Sequence, residues 1–96
     1  MDVLVTYDIQ TVTPAGEQRL AKVAKTCERY GTRVQFSVFE CRLTEAAFLR
    51  LRADLEAILD RKVDSINLYR FGGTLSGART SLGRRPAHEP GSPWLL

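Results

Sequence analysis

Two helical patterns separated by one β-rich run constrain the fold of this chain more than any other feature. The run covers residues 32–43 and is too long for an ordinary strand of about five or six residues. We therefore divide it near Ser37 into two strands joined by a tight turn, although no Asn-Gly or Gly-Gly pair marks that turn. A hairpin between two helices leaves few topologies open to a small domain.

The first helix is predicted to begin after Thr13, whose side chain can cap free N–H groups. Pro14 suits the first helical position, where proline loses no hydrogen bond. Apolar residues at 20, 23, 24 and 27 recur at helical spacing, and Gly31 can end the helix in the left-handed conformation. The outward face carries three cations: Lys22, Lys25 and Arg29.

The second helix is predicted to start after Thr44, again through a side-chain cap. On its outer face, the spacing predicts two i,i+4 ion pairs, Arg50 with Asp54 and Arg52 with Glu56. Short β-branched and aromatic runs at residues 3–9 and 65–71 predict strands at the two ends of the core.

The resulting order is strand, helix, strand, strand, helix, strand. This order predicts an α+β, ferredoxin-like domain over residues 1–73, in which both helices cover one face of a four-stranded antiparallel sheet. The strands have apolar residues at both odd and even positions, and therefore on both faces of the sheet. Because the core is also small, we expect the other face to meet a second copy in a homodimer.

Residues 74–96 are predicted to form a C-terminal extension. Glycine and proline are frequent from residue 72 to residue 91, which is typical of loops. The chain then ends in an apolar segment that we expect to form a short fifth strand docked on a sheet edge. Its interface residues are Trp94, Leu95 and Leu96.

The composition fits one soluble domain. The chain has 96 residues, of which 44% are hydrophobic and 26% charged, and both fractions are ordinary for globular proteins. No apolar run approaches the roughly 18 residues of a membrane helix, and no basic signal region precedes the first strand, so we expect no membrane association. Cys27 and Cys41 lie in apolar stretches and suit buried thiols in a reducing cytoplasm.

The net charge of +3 is unevenly distributed. Residues 14–34 carry five basic and two acidic side chains, and the tail from residue 74 adds Arg79, Arg84 and Arg85 against Glu89. This concentration is compatible with a polyanionic partner, but a solvated surface would produce the same pattern.

Asp8 is the leading candidate for chemistry, because it is a carboxylate at the exit of an apolar strand. One aspartate cannot hold Mg²⁺ firmly, whereas two copies in a two-fold dimer could share one hydrated ion. An inert turn or capping role is the alternative. Arg33 and Ser37 could contact phosphate, and Phe39 could stack on a base. The alternatives are that Arg33 is simply solvated, that Ser37 forms the turn, and that Phe39 belongs to the core.

Several segments resemble the CRISPR-associated Cas two family. They are VLVTYD at residues 3–8, PAG at 14–16, YGTRVQFSVFEC at 30–41, DSI at 64–66, and the tail from LG at 82–83 to PG at 90–91. The resemblance thus covers nearly the whole chain, and the segment RVQFSVFE after a basic amphipathic helix is the most specific part of it.

This resemblance implies a ferredoxin-like homodimer whose C-terminal strand adds to the partner subunit's sheet. It also implies a prokaryotic cytoplasmic protein that bridges two dimers of the Cas one integrase and supports prespacer duplex DNA through phosphate contacts. Members have been described as magnesium-dependent nucleases acting on RNA or DNA. Asp8 matches the metal ligand of that activity, and four other residues match positions associated with it: Arg19, Arg33, Ser37 and Phe39.

Two functions therefore remain open at the level of sequence. The first is a scaffold that holds duplex DNA with Lys22, Lys25, Arg29 and the tail arginines. The second is a phosphodiesterase in which a pair of Asp8 residues positions magnesium. A toxin-like or stand-alone endoribonuclease of the same fold is a further alternative.

Overall fold

The computed structural model describes residues 1–71 and 79–84. Within them the elements follow in the order β1 (Asp2–Asp8), α1 (Pro14–Tyr30), β2 (Gly31–Gln35), β3 (Val38–Arg42), α2 (Glu45–Ile58), β4 (Ser65–Arg70) and β5 (Arg79–Gly83). The sheet order is β2-β3-β1-β4-β5, and every neighbouring pair is antiparallel. The predicted α+β, ferredoxin-like arrangement is confirmed, with a fifth strand added at the β4 edge.

The core lies between the two helices and one face of the sheet. Alternation along β1 sends Val3, Val5 and Tyr7 to this face, where all are buried. The helices contribute Val23 and Leu51, which are completely buried against the strands. The opposite face is more polar than the sequence suggested, because its centre combines polar side chains with apolar ones. These residues are Leu4, Thr6, Val38, Asn67, Tyr69 and Ser81.

Both predicted helix starts are confirmed by their caps. Thr13 Oγ1 accepts a hydrogen bond from the Gly16 N–H at 3.0 Å, and Thr44 Oγ1 accepts one from the Ala47 N–H at 3.1 Å. Each bond satisfies one N–H group that has no partner within its helix.

The predicted left-handed ending of α1 is wrong. Gly31 has φ −167° and ψ −162°, which is extended backbone, and it begins β2 directly. Glycine is required there for space, because a Cβ at Gly31 would collide with the Glu40 carbonyl oxygen and the Cys41 side chain on β3. The helix therefore passes into the hairpin without a connecting loop.

The hairpin turn lies where the sequence placed it, at residues 36 and 37. The Ser37 carbonyl accepts a hydrogen bond from the Tyr7 N–H at 3.1 Å, and the Phe36 carbonyl accepts one from the Tyr7 hydroxyl at 3.2 Å. These bonds fix the turn beside the end of β1. An irregularity in the β2–β3 pairing between Arg33 and Gln35 accommodates the tight connection.

One of the two ion pairs predicted on α2 is wrong. Arg52 pairs with Glu56 at 3.1 Å as expected, but Asp54 faces α1 instead of Arg50. Its carboxylate accepts a hydrogen bond from the Tyr30 hydroxyl at 2.9 Å and lies 4.0 Å from Arg29. A contact between the two helices has replaced a contact along one of them.

A fifth strand lies within residues 72–91, which the sequence predicted to be loop. It is formed by Arg79–Gly83, which pairs with β4 of the same chain and places Leu82 in the core. The predicted terminal strand, with Trp94, Leu95 and Leu96, lies outside the described residues. Neither helix in the described part of the chain is long and apolar enough to cross a membrane.

Candidate functional site

Asp8 lies at the last position of β1, on the sheet face opposite the helices. Across the sheet it is aligned with Ser65 on β4, and Ser65 is aligned with Gly83 on β5. The side chain of Asp8 is 75% exposed. This carboxylate is therefore accessible to cations from solution.

Arg84 reaches Asp8 from the neighbouring end of β5. One terminal nitrogen of its guanidinium lies 2.7 Å from Asp8 Oδ2, which is the geometry of a charge-assisted hydrogen bond. Its Nε donates to the Val63 carbonyl at 3.3 Å, and its backbone N–H donates to the Asp64 carbonyl at 2.6 Å. The sequence grouped Arg84 with nucleic-acid-binding cations, and its pairing with Asp8 was missed because 76 positions separate them.

The backbone at Gly83 makes this approach possible. Its φ is +85°, in the left-handed region that favours glycine. A Cβ at this position would also meet the Asp64 carbonyl oxygen and the Leu59 side chain. Only glycine lets β5 end this close to the α2–β4 loop, and the next residue is Arg84.

Asp64 anchors the loops on both sides of Asp8. Its side chain is completely buried and accepts bonds from the N–H groups of Gln10 at 3.0 Å and Asp60 at 2.8 Å. Arg19 donates its Nε to the same carboxylate at 2.8 Å. The β1–α1 loop, the α2–β4 loop and helix α1 thus meet at one buried charge.

The electrostatics of this anchor favour an ionised Asp64. Burial raises the pKa of its carboxyl, but the hydrogen bonds from Arg19, Asp60 and Gln10 and the charge of Arg19 outweigh burial, so the pKa lies below its ordinary value. The same hydrogen bond raises the pKa of Arg19. Sequence reasoning assigned Arg19 to nucleic-acid binding, whereas the structure gives its guanidinium a structural partner and leaves its side chain 19% exposed.

A second group of predicted residues lies near the hairpin turn. Phe39 is completely buried, and the Arg33 guanidinium lies 5.2 Å from the centre of its ring. The Arg33 guanidinium also lies 3.8 Å from the Glu28 carboxylate. Arg33 therefore forms the surface at this point and covers the Phe39 ring. Ser37 lies in the turn, next to Phe36, whose side chain is 91% exposed. The sequence placed the turn near Ser37 but did not indicate that the Phe36 side chain would point outward.

An open groove of about 460 Å³ lies between α1 and the hairpin turn. Its lining includes Asp8, Glu17, Arg33, Phe36 and Ser37. The groove thus combines negative charge, positive charge and an exposed aromatic ring. It connects the predicted hairpin residues to Asp8 on the surface of one chain.

The cations on α1 form a separate surface, which we call the α1 stripe and define as Lys22, Lys25 and Arg29. Lys22 and Lys25 are exposed, and neither forms an ion pair within residues 1–71 and 79–84. Arg29 makes a longer contact, of 4.0 Å, with Asp54. The stripe therefore offers free positive charge to an external anion.

Two of the predicted tail cations, Arg79 and Arg84, lie in or next to β5. Arg79 begins β5 and is aligned with Tyr69 on β4, so it lies on the sheet face opposite the helices. Arg85 lies outside the described residues, as do the predicted interface residues at the end of the chain. Of the two tail arginines that the structure describes, Arg84 is the one that contacts Asp8.

The described part of one chain holds no complete metal site. In the described ranges, no three histidine, cysteine, aspartate or glutamate side chains come together in a way that could hold a metal ion. Magnesium commonly keeps several waters and binds through one or two carboxylates. The exposed Asp8 is a carboxylate of the kind that such a hydrated ion binds.

Comparison with known proteins identifies the family. The family model described as CRISPR associated protein Cas2 matches residues 1–76. The chain belongs to the CRISPR-associated Cas2 family. A relative named CRISPR-associated endoribonuclease Cas2, from Chlorobaculum tepidum, is 52% identical over 77 residues, which cover 80% of each chain. One from Halalkalibacterium halodurans, named CRISPR-associated endonuclease Cas2, is 40% identical over 96 residues and matches over the full length of both chains.

Solved structures agree with this assignment. Cas2 from Streptococcus pyogenes superposes with a TM-score of 0.70 at 56% identity, covering 75% of this chain and 87% of that one. A hypothetical protein from Thermus thermophilus superposes with a TM-score of 0.65 at 36% identity, covering 75% and 82%. The family resemblance and the fold expected from it are both confirmed. The match to the Cas2 family model contains Asp8 and the α1 stripe but ends before β5 and Arg84.

Proposed function

We propose that this Cas2-family chain is a subunit of the CRISPR spacer-acquisition complex in the prokaryotic cytoplasm. In this proposal a homodimer bridges two dimers of the Cas one integrase and holds prespacer duplex DNA by its phosphates. The observation that carries the proposal is the α1 stripe, in which Lys22 and Lys25 are exposed and have no anionic partner in the described part of the chain.

The contrast with α2 supports a specific role for the stripe. On α2 and the following loop, Arg52 and Arg61 both pair with Glu56, at 3.1 and 3.3 Å. The single Glu56 carboxylate thus compensates part of their charge within the chain. Lys22 and Lys25 can exchange solution counterions for phosphates, and such contacts are independent of base sequence.

Dimerisation would double this surface. A core of this size gains little stability on its own, and oligomerisation is one way in which small domains compensate. Two copies would present two α1 stripes and six cations to one duplex. In this proposal Trp94, Leu95 and Leu96 dock on the partner subunit and help to hold the dimer together.

Salt dependence of binding to a DNA duplex tests the scaffold proposal. If about six cations contact phosphates, the slope of log K against log salt should be near −5. Lys22→Ala combined with Lys25→Ala removes up to four contacts per dimer and should flatten the slope by about three to four units.

The matched control removes Arg52 and Arg61, which carry the same total charge but already pair with Glu56. This variant should keep nearly the wild-type slope. Equal slopes for the two double variants, or strong dependence on base sequence, would assign DNA binding to another surface. Integration assays with the integrase present then test whether the same lysines matter for spacer acquisition.

A metal-dependent nuclease is the second candidate, and the exposure of Asp8 at a strand end favours it. Relatives bear endoribonuclease and endonuclease names. In this proposal Asp8 from each subunit holds one hydrated Mg²⁺, and the metal when bound supplies polarisation of the phosphate and activation of water. The chain itself contributes the carboxylates and the groove beside them.

Asp8→Asn separates the two functions, since it removes the charge and keeps the side-chain size. Loss of magnesium-dependent cleavage of RNA or DNA with normal integration would indicate a nuclease activity that spacer acquisition does not need. Loss of integration in a folded dimer would make Asp8 essential to the complex. Cleavage that persists in chelator would reject Asp8 as the metal ligand. RNA cleavage by the dimer without an integrase would support the stand-alone endoribonuclease alternative.

A further inference from the structure

We propose that Arg84 competes with a divalent cation for Asp8 and thereby sets the metal affinity of the site. This inference rests on the proposed role of Asp8 as a metal ligand and adds a second residue to it. The observation behind it is the contact of 2.7 Å between the Arg84 guanidinium and Asp8 Oδ2. A cation that binds this carboxylate must share it with the guanidinium or displace it.

The guanidinium is held in place by more than the ion pair. Its Nε donates to the Val63 carbonyl, and the Arg84 backbone N–H is bound to the Asp64 carbonyl. The Arg84 side chain is 37% exposed, about half the exposed fraction of Asp8. Arg84 is therefore positioned by the fold, and the more exposed Asp8 is the partner that faces solution.

The surroundings add further positive charge. An open recess of about 360 Å³ is bordered by Asp8, Gln10, Lys62, Val63 and Arg84. Lys62 is exposed and forms no ion pair with any other described residue. Two cations thus border the same recess as the Asp8 carboxylate, and their charges oppose the binding of a divalent cation there.

The expected effect follows from the distances involved. A divalent cation on Asp8 would lie within a few ångströms of the guanidinium. Repulsion between a divalent and a monovalent charge at about 4 Å in water corresponds to roughly a thirtyfold loss of affinity. Screening by salt and the high exposure of Asp8 reduce this effect, so we expect a change of about fivefold to thirtyfold.

Mn²⁺ binding to the full-length protein, measured by electron paramagnetic resonance, tests the proposal without reference to activity. Arg84→Ala should tighten Mn²⁺ binding by about fivefold or more. Arg84→Gln retains a donor for the Val63 carbonyl and should give the same direction, which separates loss of charge from loss of packing. Circular dichroism verifies that each variant is folded.

Arg42→Ala is the matched control, because Arg42 pairs with Asp2 at 3.2 Å at the opposite end of β1. It removes the same charge and should change Mn²⁺ affinity by less than about twofold. The Mn²⁺ binding that is lost in Asp8→Asn is the binding at Asp8.

If this Mn²⁺ is detected and Arg84→Ala binds it no more tightly than wild type, the competition is refuted while Asp8 stays a metal ligand. If neither wild type nor Arg84→Ala binds Mn²⁺ in a manner that depends on Asp8, the metal role of Asp8 fails, and the competition fails with it. Tighter binding in both Arg84 variants, with no change in Arg42→Ala, supports the proposal.

Discussion

Replacement of Asp64 by alanine should be among the most destabilising single changes in this chain. It removes the acceptor of the Gln10 and Asp60 N–H groups and leaves the Arg19 guanidinium without its partner. Breaking a buried ion pair by removing one member costs about 3–5 kcal/mol. Because Arg19 keeps some contact with water, we expect the lower end, about 3 kcal/mol.

Urea unfolding followed by circular dichroism measures this loss. With an m-value of about 1.5 kcal/mol/M, a loss of about 3 kcal/mol lowers the midpoint by about 2 M. All variants must be compared at one protein concentration, because the stability of a dimer depends on it. Asp2→Ala is the control, since the exposed Asp2–Arg42 pair should contribute less than about 1 kcal/mol.

The pH dependence gives a second, independent measure. The folded-state pKa of Asp64 lies below its ordinary value, so its contribution is fully present above the unfolded pKa of about 4 and is lost as pH falls through the folded pKa. The difference in stability between wild type and Asp64→Ala should therefore narrow below about pH 4. A loss below about 1 kcal/mol, or one equal to that of Asp2→Ala, would refute the role of Asp64 as an anchor.

Three further predictions concern other parts of the fold. Burial raises the pKa of Cys27 to about 12 and that of Cys41 to about 11, so neither thiol should react with iodoacetamide at pH 8 until urea unfolds the protein. Thr13→Ala should cost about 1 kcal/mol in urea unfolding through loss of the α1 cap, and an unchanged midpoint would contradict that capping role. Gly83→Ala should cost about 1–3 kcal/mol because it combines a positive φ with a backbone collision; a variant as stable as wild type would show that β5 ends differently.

Local features of this fold were predictable because their causes lie within a few residues. Thr13 and Thr44 were identified as caps, since each binds an N–H group three positions later. The turn at Ser37 followed from the excessive length of one β-rich run. The chain order of these elements was then sufficient to predict the topology of the first four strands.

The features that escaped prediction depend on residues far apart in the chain. The Arg19–Asp64 pair spans 45 positions, and the Asp8–Arg84 pair spans 76. One sequence contains no pattern that couples such positions. The prediction for Gly31 was wrong for a related reason. Glycine is required at this position because β3 approaches it closely, and not because α1 ends there.

The alignment of Asp8, Ser65 and Gly83 in one row across the sheet predicts which genetic changes this protein tolerates. Backbone hydrogen bonds place Arg84, so substitutions at the exposed position of β5, Ser81, should leave its contact with Asp8 in place. A one-residue insertion or deletion within β5 would instead reverse the alternation of its side chains. It would turn Leu82 out of the core and carry Arg84 away from Asp8 in a single event. Natural variation in this strand should therefore consist of substitutions and very rarely of changes in length.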